Sequence, residues 1–327
     1  MNAVFTYITL FIFCSVLCYT LMSHYRAKSK MIEFDIEKLE NLSPTLAAYF
    51  FQNIGVSSRH LVASLLYLVK KEFIQLQFDE VRQEYYFCIG TNDPSFISND
   101  DAYLIQWLFY DVGKNGVFYP SDLQSYTFDR EGEAKFLESC KKWENLLKAQ
   151  LETEGLISKK IPTKRWITGS FSFLFLILGS VYLFFVPLIG ILYLSGSITL
   201  LLACAIMPLK TNKGWEITQQ LSQYKLYLKN KAAVENNSWL TLNYIYAIAF
   251  GMKKDFSKQF PIYDASAIKI KQNSFPLYMT IAPGTYAIIK ESIDAVDEIE
   301  AAFTQALQND DIIIEEGYNE SNIGDSV

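Results

Sequence analysis

The distribution of apolar and polar positions divides the chain sharply. Val4 to Ser23, "VFTYITLFIFCSVLCYTLMS", is 20 residues without an acid or a base. That length crosses a hydrocarbon core of ~30 Å as a helix. Far downstream, Ile167 to Val186 and Pro187 to Met207 adjoin, giving 41 residues with no charge. One straight helix of that length measures ~60 Å, about twice the membrane. The pattern therefore predicts a helical hairpin that turns at Pro187 and Gly190. Gly169, Gly179, Gly196 and several serines suit close helix contact. The runs contain no charge of the kind that marks a proton relay or ion path.

Between the runs the period changes. "SPTLAAYFFQNIG" reads as a helix with Ser43 capping, Pro44 in the first turn and Gly55 closing. "SSRHLVASLLYLVKKEF" places Leu61, Leu65, Leu66, Leu68 and Val69 on one helical stripe. "FIQLQF" and "EYYFCI" alternate and predict a β-hairpin. Helix, helix, hairpin is the order of a winged-helix unit. "NDDAYLIQWLFYDVG" follows as a capped helix, and "GVFYPSDLQSY" as a short strand and turn. A longer helix carries Phe136, Leu137, Cys140, Trp143, Leu146, Leu147 and Leu151 inward, and "GLIS" starts a further strand.

The flanks give direction. Arg26, Lys28 and Lys30 follow the first run, Lys159, Lys160, Lys164 and Arg165 precede the second, and Lys210 and Lys213 follow the third. If the chain crosses at each run, all three clusters share one side. The N-terminus is then outside and residues 24–166 and 208–327 are cytoplasmic. The first run lacks a basic leader and a small-x-small cleavage site, so it reads as a retained anchor. Composition agrees: 50% hydrophobic residues, 15% aromatic, and a mean hydropathy of +0.11.

Charge bears on the winged-helix pattern. The net charge is −6, and residues 31–160 carry 20 acids against 13 bases, a balance of −7. That sign opposes phosphate binding, so no nucleic-acid partner is expected. Five scattered cysteines with no CxxC pair signal neither a disulfide framework nor a zinc site. His60 and His24 have no carboxylate or cysteine pattern around them, and His60 is expected at the surface or in a cap. Asp100 and Asp101 fit a helix N-terminus. The sequence holds no phosphate-binding loop, GxSxG or HExxH motif. Neither a catalytic residue, a cofactor nor a metal is expected.

After the third run, Thr211 can cap a helix beginning near Gly214. Ile217, Leu221, Tyr224 and Leu228 form one face of it. Trp215 and Tyr227 suit the headgroup level, and Lys210, Lys213, Lys225, Lys229 and Lys231 suit anionic lipid. This predicts an amphipathic helix along the inner leaflet. "SWLTLNYIYAIAFG" predicts a second helix from Ser238 to Gly251, apolar nearly all round, buried against the first or against lipid.

These residues carry a resemblance. The basic-flanked hairpin, Thr211 with Gly214, the Tyr224-Lys225-Leu226-Tyr227-Leu228 box and the box from Tyr246 and Ala247 to Gly251 resemble one family. It is the C-terminal half of the predicted bacterial membrane proteins called domain of unknown function 2207. The likeness covers roughly residues 40–260. The chain departs from it in lacking the extracytoplasmic β domain, and in having Gln223 and Ile245 where the family usually has Gly and Pro. The Gly-rich family tail is replaced by a short strand, a helix from about Ser292 to Leu307 and an acidic disordered end. The family has no assigned activity, so the resemblance implies architecture and not chemistry.

The expected protein is thus mainly α, with an α+β cytoplasmic part. Its plan is an anchor at 1–23, a winged-helix-like region at 24–166, a transmembrane hairpin at 167–207, juxtamembrane helices at 208–260 and a cytoplasmic tail at 261–327. It is expected to be a multi-pass protein of the bacterial plasma membrane, meeting the bilayer and a protein partner or a second copy of itself. A non-enzymatic scaffold is the first reading. A membrane-tethered regulator and an accessory subunit of a transporter or envelope enzyme are the alternatives.

Overall fold

The computed structural model describes residues 11–15, 18, 39, 42–52, 54–90, 92, 97–158, 160–206, 210–230, 240–264, 278–282 and 285–308. Most of the first apolar run, its basic flank, Lys159, Lys231, Ser238 and the acidic end lie outside them. The chain divides into two compact units. One joins residues 1–41 to Lys148–Tyr224, and the other joins Leu42–Leu147 to Lys225–Val327.

The second unit begins with α1 (Pro44–Gln52), α2 (Ser58–Lys70), β1 (Ile74–Asp79) and β2 (Glu84–Ile89). Ser43 accepts a bond from the Leu46 amide at 3.2 Å, the predicted cap. The helix stops at Gln52, before Gly55. β1 and β2 pair antiparallel, Ile74 opposite Ile89 through Asp79 opposite Glu84. Leu76 and Phe87 face each other and are both buried.

Next come α3 (Asn99–Gln106) and β3 (Val117–Phe118), the latter adding a third strand beside β2. A π-helical segment, Trp107–Val112, prolongs α3. The wide turn lets consecutive Trp107, Leu108 and Phe109 all be buried, which an α-helix resists. α4 (Asp122–Tyr126) leads into α5 (Arg130–Thr153). Phe136, Trp143 and Leu147 of α5 are fully buried, as its stripe predicts.

The first unit contains α6 (Lys160–Phe185), α7 (Pro187–Ile206) and the start of α8 (Asn212–Asn230). α6 and α7 form the predicted hairpin, breaking at Val186 and Pro187. Among the described residues, Trp166–Phe185 is the helix long and apolar enough to cross a membrane, and Pro187–Leu202 is a shorter apolar helix. The interior is tight. A Cβ on Gly190 would sit 2.6 Å from the Leu183 Cα. Ser172 donates a 2.7 Å bond to the Ser197 carbonyl. Phe13, from helical residues 11–15, lies edge-on to Phe175 and Tyr193 at 5.0 and 5.3 Å. It presses against Gly196, where any side chain would collide with its ring.

The remaining chain completes the second unit with α9 (Leu240–Ala249), α10 (Lys253–Ser257), β4 (Ile262–Tyr263), β5 (Tyr278–Ala282), β6 (Thr285–Ile289) and α11 (Lys290–Gln308). The sheet order is β4-β6-β5, with β4 parallel and β5 antiparallel to β6. The tail helix forms within two residues of its predicted start, but the expected single strand is a three-stranded sheet. The expectation for 240–249 is corrected in its partner. α9 packs on α1 and α2 of its own unit, and α11 also packs on α2. Its all-round apolarity reflects a core helix. α2 is consequently enclosed, with His60 through Leu66 all buried.

Candidate functional site

Two constellations carry the motif residues. The first lies in the first unit, where the chain enters and leaves the hairpin. α5 ends on Gly155, in the left-handed region at φ 69°. The Gly155 and Leu156 amides close the helix by donating to Glu152 and Leu151. Thr211 meets this end. Its amide donates to the Leu156 carbonyl at 3.0 Å, and its hydroxyl donates to the Gly155 carbonyl at 2.6 Å. The same hydroxyl accepts the Gly214 amide at 3.0 Å, capping α8. Lys210 bridges to Ile157, and the Lys213 ammonium donates to the Glu154 carbonyl at 2.7 Å. Thr211 thus clasps the entering strand of chain to the leaving one.

Lys210, read from sequence as a topology marker, is partly buried. Its ammonium donates to the Thr218 hydroxyl at 3.0 Å, and burial lowers it to about 8. Ile217, Leu221, Tyr224 and Leu228 are all buried, so the predicted stripe exists and is covered by protein. Gly214 is buried too, whereas Trp215, Lys225 and Tyr227 are half-buried. The Trp215 Nε1 is buried without a partner among the described residues. The Leu228 carbonyl accepts from Gln259 at 2.6 Å.

The second constellation lies in the other unit, which also takes in Lys225, Tyr227 and Leu228 of the first box. Tyr246 is buried and donates to the Leu42 carbonyl at 2.7 Å, with its ring stacked on Phe250. Ala247 is fully buried. Gly251 ends α9 at φ 73°, its amide donating to Ile248 and the Met252 amide to Ala247. The Arg59 guanidinium lies where a Gly251 side chain would be. Only glycine meets both demands. Nearby, the Gln52 amide donates to the Phe250 carbonyl at 3.2 Å. Sequence reasoning misses Gly155, Leu156 and Arg59 as partners of the boxes. Glu154-Gly155 at the end of a long helical pattern is the one readable signal among them.

His60 caps α2 as expected, but it is buried and not at the surface. Its Nδ1 accepts the Ser57 amide at 3.1 Å. Burial, and then the neighbouring Arg59 charge, lower it to about 4, against a weaker pull from Glu144. Tyr49 donates to Glu144 at 2.8 Å, and Thr45 and Ser64 extend the polar network through bonds of 3.1 and 2.7 Å. Burial and Glu144 push the Cys140 thiol well above its ordinary range, so it is inert as a nucleophile. Asp100 and Asp101 occupy the first turn of α3, as predicted. Burial raises both, and the Asp100 charge raises Asp101 further; the Ser98 hydroxyl donates to Asp101 at 2.9 Å. Among the described residues no group of three or more His, Cys, Asp or Glu could hold a metal ion.

The sequence profile described as "Predicted membrane protein (DUF2207) C-terminal domain" matches residues 33–260. No curated protein and no solved structure gives a significant match. The matched region contains both boxes, the hairpin and the Thr211 clasp. The chain belongs to this family of predicted membrane proteins with a DUF2207 C-terminal domain.

Proposed function

We propose that the chain is a multi-pass protein of the bacterial plasma membrane, with its N-terminus outside and both soluble stretches in the cytoplasm. It acts without chemistry of its own, as a scaffold that binds a protein partner or a second copy. One observation carries this reading. The second unit is assembled from chain on both sides of the hairpin: α2 packs on α9 and α11, and Tyr246 bonds Leu42. Two halves of one core share one solvent compartment. A chain that crosses the membrane along α6 must therefore return along α7. The basic residues at both ends of the hairpin favour the cytoplasm as that compartment. The packing of Phe13 into the hairpin supports a third span from the first apolar run.

The helix, helix, hairpin order suits a winged-helix-like unit, which also serves the reading as a tethered regulator. Against DNA contact stand the acidic balance and the enclosure of α2, the helix that would enter a groove. Val81, 93% exposed, and Phe128, 89% exposed, offer apolar surface positions at which protein contact can be probed. Photo-crosslinkers placed at these two positions in living cells are expected to yield a discrete protein adduct or a cross-linked dimer. Recovery of chromosomal DNA instead, with no protein adduct, overturns the scaffold in favour of the regulator.

A further inference from the structure

A groove of about 570 Å³ runs along the outer face of α6, lined by Trp166, Gly169, Ser170, Phe173, Leu174 and Ile177. These positions recur at helical spacing, so they form one stripe. From Trp166 to Ile177 the helix rises ~17 Å. This is about half a hydrocarbon core of ~30 Å, the depth of one leaflet. The small residues Gly169 and Ser170 make the hollow, and the larger side chains wall it. Trp166 stands at one end, 79% exposed, where an interfacial indole belongs.

The charge around that end is predominantly basic, with Glu154 paired to Lys213 at 3.9 Å. Lys160, Lys164 and Arg165 occupy the first two turns of α6, and Lys210 and Lys213 lie where the chain leaves the hairpin. Between Gly155 and Trp215 the sequence contains no acid. We propose that this groove is a binding site for an anionic phospholipid, with one acyl chain along Gly169–Ile177 and the phosphate level with Arg165 and Trp166. A second copy of α6 is the rival occupant. Docked in parallel, it would bring an identical cationic end to the same level, a repulsion that an anionic headgroup removes. The proposal rests on reading α6 as a membrane span.

The test uses the full chain in a non-ionic detergent, titrated with dioleoyl phosphatidylglycerol or dioleoyl phosphatidylcholine and observed by native mass spectrometry. A phosphatidylglycerol adduct is expected to persist where phosphatidylcholine is lost. Combining Lys160→Gln, Lys164→Gln and Arg165→Gln should weaken retention on the order of a hundredfold, from three charges near the headgroup. Gly169→Leu and, separately, Ser170→Leu should fill the groove and remove the adduct with every charge intact. Equal retention of the two lipids overturns the site. So does an adduct that survives both groove-filling variants, or a dimer that those variants abolish without any lipid dependence. Carbonate extraction of native membranes separates the two failures. A chain that is extracted contradicts the span itself, while one retained without a selective adduct contradicts the lipid site alone.

Discussion

The two units bury aromatic cores alike but differ in what their long helices expose. In the second unit Trp107, Phe136, Trp143 and Leu147 are inside, and the charged side of α5 faces out. In the hairpin the buried positions include Ser172 and Ser197, while Phe184 is 87% exposed and Leu188 81% exposed. The first arrangement is driven by removing apolar surface from water. On the proposed membrane reading the second gains nothing from that source, because lipid is as apolar as its side chains. It relies on close packing at Gly190 and Gly196, on the Ser172 hydrogen bond and on the Phe13 ring. On that reading a single chain carries two solvents' rules.

The comparison predicts unequal responses. Phe136→Ala in the water-facing unit should cost ~3–5 kcal/mol of unfolding free energy, by lost transfer energy plus a cavity. Phe184→Ala in the hairpin should change stability in detergent by less than ~0.5 kcal/mol, as for other exposed sites. Chemical denaturation of both variants, read by tryptophan fluorescence, checks the ratio. Similar losses would remove the distinction.

Acid provides the next largest effect. His60 is neutral when folded down to about pH 4, whereas an unfolded histidine takes up a proton near 6.5. Its lowered value means full stability above that unfolded value and loss as pH falls toward 4. The loss amounts to ~3 kcal/mol across that window by linkage. In His60→Asn this share of the pH slope should vanish, measured as midpoint shifts between pH 7 and pH 4. An unchanged slope would assign the acid sensitivity elsewhere.

Smaller effects sharpen the motif readings. Gly251→Ala should lose ~1–3 kcal/mol through the left-handed backbone and the Arg59 collision, seen as a lower Tm. Thr211→Val should lose ~1 kcal/mol, the value of a cap, and should increase proteolysis between residues 154 and 212. Thr211→Ser should restore both. An intact clasp in the valine variant would show that the backbone contacts suffice.

Much of this was legible in sequence. The uncharged double run announces the hairpin, Pro187 places its break, and alternation places β1 and β2. The step pattern of Ile217, Leu221, Tyr224 and Leu228 identifies the face that is buried. What covers that face was not legible, because an amphipathic stripe has the same spacing against lipid and against protein. Likewise the apolarity of 240–249 fits a core helix as well as a membrane-facing one, and only long-range packing on α1 and α2 decides. The clasp was half visible: Thr211 and Gly214 read as a cap, but the Gly155 carbonyl is 56 residues away, and no local pattern pairs them. The His60 cap was legible because its bond to Ser57 is local, but its burial was not, because it comes from helices far along the chain.

The central claim is that the chain on either side of the hairpin shares one compartment. It is tested most directly by single cysteines at Val81, Leu188 and Lys258, each introduced after the native cysteines are replaced by alanine. Labelling uses a membrane-impermeant maleimide on intact cells and then on lysed ones. The account predicts that Leu188→Cys reacts in intact cells and that Val81→Cys and Lys258→Cys react only after lysis. Reaction of Val81→Cys and Lys258→Cys from opposite sides would contradict it.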